Sequence, residues 1–248
     1  LHKNKICYKK SRNLWNIGGN YPSKVVQYAF PFSRNKKVQH MRRIASILAA
    51  LTLLLSQTAW AGFDDAWDTI EPAIPTDSKA KVEVVEFFWY GCPHCYSLDP
   101  VIENWKKTLP KDVAFRHVPA AVNPSWLPHS YFFYAAELLG VIDKLHEPLF
   151  DALHKEKRRI YTKEALISFA VEHGVDEAKM RKAWRSFAVN TKVQRANKLA
   201  KHYRINGVPN IGVNGKYLTS GQLAGTNLKM MRVIDHLIQA ELKGVDPD

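Results

Sequence analysis

Apolar and polar positions divide this 248-residue chain into stretches of different period. Ile44 to Leu55 is an apolar run of twelve. Lys81 to Trp89 is a second run, rich in Val and Phe, with the near-continuous apolar character of a strand covered on both faces. Cys92 to Leu109 then reads as a helix ended by Pro110, and Val113 to Val118 as another strand. Strand, helix, strand implies a right-handed parallel crossover. From about Val122 to Phe187 the pattern turns helical. Leu138, Leu139 and Ile142, then Leu145, Leu149 and Leu153, recur at spacings of three and four, as do Leu166, Phe169 and Ala170. Gly140, Gly174 and the start signal at Asp176 separate these helices. Asn190 to Tyr203 is a further helix, with Val193, Asn197 and Ala200 along one face. Ile211 to Val213 and Lys216 to Thr219 are short strands around Asn214-Gly215, a hairpin turn signal. A closing helix runs from about Asn227 to Leu242. An α/β unit therefore stands at both ends of the chain after its leader, interrupted by a helical block.

The twelve-residue run is too short for a bilayer, which needs about 20 residues. It follows Met41-Arg42-Arg43 and precedes Ala59-Trp60-Ala61, the small residues a signal peptidase reads. Residues 41–61 are expected to be a secretory signal cut before Gly62. Residues 1–40 precede the signal's methionine and hold no acidic residue, as translated upstream sequence would; a genuine basic extension is the alternative. The leader changes the charge argument. Residues 1–61 carry 11 of the 36 Lys and Arg and none of the 23 Asp and Glu, so the formal net charge of +13 falls to +2 without them. A nucleic-acid partner loses its support. The run Lys155-Glu156-Lys157-Arg158-Arg159 reads as a solvated face. The remaining 187 residues suffice for one domain with an insertion.

Cys92-Pro93-His94-Cys95 carries the chemistry. At the start of a helix the Cys92 sulfur faces unsatisfied N–H groups and the positive dipole end, which favour thiolate and make it the nucleophile. Cys95 lies one turn on, on the same face, and closes a small disulfide ring with it. Pro93 fits a first turn, where its missing N–H is not needed. Zinc wants four ligands, and the only other cysteine is Cys7, in the leader. Haem attachment needs histidine after the second cysteine, and Tyr96 stands there. A structural disulfide over so short a loop restrains the unfolded chain little. Export together with one cysteine pair suits an oxidising compartment in which that pair is the working part.

These residues resemble the DsbA-type periplasmic thiol-disulfide oxidoreductases. The resemblance spans roughly residues 65–243. It rests on Val84-Val85-Glu86-Phe87-Phe88-Trp89-Tyr90-Gly91-Cys92-Pro93-His94-Cys95-Tyr96, and on Gly207-Val208-Pro209 followed by the Val213-Asn214-Gly215-Lys216-Tyr217 hairpin. It implies an α/β fold: a thioredoxin fold, residues 62–121 and 188–248, with an all-helical insertion, residues 122–187. It also implies that Pro209 is cis and faces the cysteine pair, and that Val208 and Pro209 bind an extended substrate chain as an added strand. Alone, Pro209 would be a loop breaker. His94, otherwise a neutral loop histidine, can direct a hydrogen bond or positive charge at Cys92. Glu86 sits six residues before Cys92, the spacing of a buried acid in the family. It is read as the group that takes or supplies the Cys95 proton, against the plainer reading of an ion pair. Asn210 and Phe115 depart from the family: Ala, Ser or Thr usually follows the proline, and some members place a lysine at the Phe115 position, near the buried acid.

The implied activity is donation of the Cys92–Cys95 disulfide to reduced, newly exported polypeptides, with reoxidation by a quinone-linked inner-membrane protein of the DsbB type. No cofactor and no metal is implied, and a monomer is expected. An isomerase or reductase on the same fold is the alternative, although the 30 residues from Gly62 to Cys92 leave no room for a dimerisation domain. A peptide-binding chaperone with a structural disulfide is the remaining alternative.

Overall fold

The computed structural model describes residues 65–247. The readings of residues 1–64, among them the leader and its cut before Gly62, fall outside the described residues. In chain order the elements are strand β1 (Asp68–Thr69), strand β2 (Val82–Phe88), helix α1 (Pro93–Lys106) and strand β3 (Val113–Pro119). A 3₁₀ turn at Pro124–Trp126 leads into α2 (Leu127–Leu138), α3 (Ile142–His154), α4 (Lys163–Glu172), α5 (Glu177–Trp184) and α6 (Phe187–His202). Strands β4 (Asn210–Val213) and β5 (Tyr217–Thr219), a single turn α7 (Gly221–Ala224) and α8 (Asn227–Lys243) complete it.

All seven residues of β2 are buried, as its near-continuous apolar character requires of a strand with neighbours on both sides. It pairs in parallel with β3 and antiparallel with β4, and the sheet order is β1-β5-β4-β2-β3. Successive side chains point to opposite faces. Val82 and Val84 pack with Leu98 and Ile102 of α1 and with Met230, Val233 and Leu237 of α8. Val85 and Phe87 join a second cluster with Val189, Val193 and Ala196 of α6, which continues through Phe132, Leu149, Leu166 and Phe169 of the helices between β3 and α6.

Asn214 and Gly215 both have positive φ, at 51° and 71°, the conformation that an Asn-Gly hairpin turn supplies. Gly215 is also required sterically, because a Cβ there would lie 1.9 Å from the Ile74 carbonyl oxygen. Most bounds fall within a residue of the sequence reading, and the larger differences are at three places. Helix α1 stops at Lys106 instead of Leu109. Helix α6 begins three residues before Asn190, because the Ser186 side chain caps it by accepting from Val189 N–H at 3.2 Å. The Leu138, Leu139, Ile142 spacing bridges two helices, since Gly140 at φ 68° ends α2. Strand β1 and turn α7 are additions of two and four residues, too short to leave a periodic signal. The basic run is a solvated, paired face, with Lys155 3.6 Å from Asp151 and Arg158 2.7 Å from Glu172.

Candidate active site

Strand β2 delivers the chain to the site, and α1 begins there. Cys92 is the N-cap of α1, in extended conformation (φ −90°, ψ 118°), with Pro93 in the first turn. Both cysteines are free thiols. The Cys92 thiol donates to the Val208 carbonyl at 3.4 Å, and the Val208–Pro209 peptide is cis. That contact brings the Gly207-Val208-Pro209 segment against the cysteine motif, as the resemblance implied. His94, Val208, Pro209 and Asn210 line one groove of about 880 Å³ that also takes in Arg204 and Thr226. His94 and Pro93 are exposed.

The two sulfurs are held in opposite states. The Cys92 thiol is lowered to about 6 by a hydrogen bond from the Cys95 thiol, and further by the Cys95 and His94 backbone N–H groups and the charge of His94, against the opposing effect of burial. Those N–H groups are the orphan donors of the first helical turn. Cys95, with none of its surface exposed, is pushed well up by burial, then by its bond to Cys92 and the charge of Glu86.

Glu86, 2 % exposed, does not stand alone on β2. The parallel register sets it beside His117 of β3, whose Nδ1–H donates to Glu86 Oε2 at 2.6 Å. His117 Nε2–H donates to Glu103 Oε1 at 3.2 Å, and Glu103 also accepts from Lys106 Nζ at 2.6 Å. Burial opposes a charge on His117, but its bonds to Glu103 and Glu86 outweigh it and raise the imidazolium to about 9. The His117 hydrogen bond holds Glu103 down at about 2. The cation beside Glu86 thus comes from His117, two positions beyond Phe115, whose ring packs edge-on against the imidazole. Glu83, the other buried carboxylate of β2, has a different environment: it accepts from the Asp77 and Ser78 N–H groups and pairs with Arg116 at 3.2 Å.

Sequence reasoning missed the face of α3 that closes over the motif. Tyr90 O–H donates to His146 Nδ1 at 2.7 Å, and His146 Nε2–H donates to Asp99 of α1 at 3.1 Å. Tyr96 donates to Asp151 at 2.8 Å, and His154 Nε2–H donates to the Tyr90 carbonyl at 2.7 Å. His146, Phe150 and His154 recur every four residues, a spacing that marks one helical face. On another side Trp89 stacks on Trp126 at 4.4 Å and 7°, and its ring lies where a Cβ on Gly91 would be, 2.3 Å away.

The family model described as a DSBA-like thioredoxin domain matches residues 83–230, more than half of the chain. The chain belongs to the DsbA-like thioredoxin family. A thiol:disulfide interchange protein DsbA of Azotobacter vinelandii is 43 % identical over 168 residues, which are 68 % of this chain and 78 % of the relative. One from Bordetella parapertussis is 40 % identical over 195 residues, 78 % of this chain and 92 % of the relative. Among solved structures, Pseudomonas aeruginosa DsbA superimposes with a TM-score of 0.70 at 36 % identity, covering 73 % of this chain and 94 % of that one. The Xylella fastidiosa DsbA gives 0.67 at 30 % identity, covering 72 % and 96 %. The thioredoxin fold and the thiol:disulfide oxidoreductase activity read from the sequence agree with these relatives. This DsbA-family chain is a thiol:disulfide oxidoreductase.

Proposed function

We propose that the enzyme works in the donating direction, passing its Cys92–Cys95 disulfide to reduced polypeptides as they emerge from export. The observation behind this is the contrast between the sulfurs: an N-cap Cys92 lowered to about 6 above a fully buried Cys95. A nucleophile that is stable as thiolate favours the dithiol form, and whatever favours the dithiol makes the disulfide a stronger oxidant.

A substrate thiolate attacks the Cys92 sulfur, the S–S bond breaks, and Cys95 departs with the electron pair and gains a proton. Glu86 in its protonated form supplies that proton and is left as the carboxylate, whose charge is near enough to act on the Cys95 thiol. A second substrate thiolate then attacks the substrate sulfur of the mixed disulfide and expels Cys92, a good leaving group because its thiolate is stable. His94 and the first-turn N–H groups stabilise that thiolate, while Pro93 starts the helix that presents them. Val208 and Pro209 would receive the substrate chain as an added strand along the groove. Reoxidation falls to a quinone-linked membrane partner of the DsbB type. Equilibration with glutathione buffers tests the direction: a reduction potential less negative than about −180 mV is expected, whereas about −270 mV, where reductases lie, overturns it.

The compartment we propose is the periplasm, reached through residues 41–61, with residues 122–187 as an insertion between the halves of the thioredoxin unit. Intact mass of the protein from a periplasmic extract is expected to correspond to a chain beginning at Gly62. A soluble species retaining residues 1–61 overturns that reading.

A further inference from the structure

Gly207 stands just before the Val208–Pro209 edge of the groove, and nothing in its own surroundings demands a glycine. Its φ is not positive, and a Cβ there would meet nothing within 4 Å. Glycine brings backbone freedom wherever it stands, so this edge needs a restraint from elsewhere. The chain leaving α6 is tied as far as Ile205, whose N–H donates to the Ala200 carbonyl at 2.9 Å. It is tied again at Asn210, the first residue of β4, which lies opposite Phe87 of β2. Between those points runs the segment that faces Cys92.

The Asn210 side chain bridges it. Its Nδ2–H donates to the Gly207 carbonyl at 2.8 Å, three residues back along the chain. Only the nitrogen of an amide can donate to a carbonyl, which fixes the way the side chain points. The bond closes the turn Gly207–Asn210 into a ring with Val208 and Pro209 at its tip. Among the described residues the Val208 N–H donates to no protein group, and the Val208 carbonyl accepts from the Cys92 thiol at 3.4 Å. A disulfide has no such hydrogen, so in the oxidised enzyme both polar groups of Val208 are open to the groove. Asn210 is half-buried and lines that groove beside His94, Val208 and Pro209.

Resting on the reading of Val208 and Pro209 as the edge that receives the substrate as an added strand, we propose that Asn210 is the positioning residue that holds this edge in order, and that it thereby sets how far the enzyme prefers an extended polypeptide thiol to a small one. Strand pairing needs the Val208 N–H and C=O at a fixed separation and direction. A turn that is already ordered spares the incoming chain the cost of ordering it. A small dithiol has no backbone to pair and gains nothing from the ring. Alanine at position 210 has no donor for the Gly207 carbonyl. Aspartate keeps the shape of asparagine but sets a second acceptor against that carbonyl, so the turn opens.

The test is stopped-flow oxidation, by the disulfide form of the protein, of a reduced two-cysteine peptide, of the same peptide N-methylated at the backbone amides flanking its first cysteine, and of dithiothreitol. The parent is expected to oxidise the unmodified peptide about tenfold faster than the N-methylated one. In Asn210→Ala and Asn210→Asp the ratio of the peptide rate constant to that of dithiothreitol should fall by about three- to tenfold, the worth of one neutral hydrogen bond, with Asn210→Asp falling at least as far. A variant damaged only in its fold or its nucleophile slows peptide and dithiothreitol together, and an unchanged ratio overturns the proposal. The two substitutions differ in size and charge, so one well-folded variant is enough to decide. If the parent separates the two peptides while the variants keep its ratio, the role of Asn210 falls and the strand reading stands. If the parent oxidises both peptides alike, the strand reading falls and the role of Asn210 with it.

Discussion

Cys92→Ser reduces oxidation of a reduced, unfolded substrate to the uncatalysed rate, whereas Cys95→Ala leaves a protein that attacks disulfides and then stalls as a mixed disulfide. The asymmetry follows from position. Cys92 is the N-cap, 8 % exposed and lowered to about 6, whereas Cys95 one turn on has no exposed surface and is pushed up by burial. Only thiolate attacks, and only an accessible sulfur meets a substrate. Alkylation of Cys92 should accordingly reach half its maximum near pH 6 and fall about tenfold for each unit below, as the thiolate fraction does. Non-reducing gels of the two variants decide the roles. Adducts trapped by Cys92→Ser but not by Cys95→Ala would reverse them.

The largest loss of stability is expected from Phe88→Ala, at about 3–5 kcal/mol. Phe88 is wholly buried at the end of β2, and its ring centroid lies within 5.1 Å of Tyr90, 5.6 Å of His117 and Phe133, 5.3 Å of His146 and 6.0 Å of Phe150. Those partners belong to β3, α2, α3 and the segment leading to Cys92, so no single element can move in to fill the space. Edge-to-face aromatic pairs add about 0.5–1.5 kcal/mol beyond burial. Urea unfolding should show a lower midpoint with an unchanged slope. A loss under about 1 kcal/mol would mean that α2 and α3 collapse onto the cavity and that the contacts matter less than their number implies.

The elements that the sequence made legible are those whose signal is local. The β2 run, the Cys92 tetrad and the Asn214-Gly215 turn each carry their instruction within a few residues, and each stands where it was read. Glu86 was legible as an anomaly, a carboxylate in an apolar strand, but its partner was not. His117 meets Glu86 only because β2 and β3 pair in one register, and a one-residue slip would have placed Arg116 or Val118 opposite instead. Period-two alternation along Val113, Phe115 and His117 marks a common face without fixing that register. The same reason hid the polar side of α3. His146, Asp151 and His154 look like an ordinary amphipathic helix until Tyr90, Asp99 and Tyr96 are laid against them. Strand β1 escaped because two residues leave no pattern at all.

Helix α1 has an unusual beginning. Most helices open on Ser, Thr, Asp or Asn, whose side-chain oxygen accepts from the next exposed N–H groups. Here the opening residue is Cys92, and as a thiol it makes no such bond, directing its hydrogen to Val208 instead. The thiolate is the form that accepts from the His94 and Cys95 N–H groups. Oxidation to the disulfide therefore removes the thiolate that would cap the helix, and reduction restores the cap once the thiol has ionised. The same atom is nucleophile and lid of the helix, so the redox state of the enzyme is written into the order of its first turn, where hydrogen exchange at two amides would report it directly.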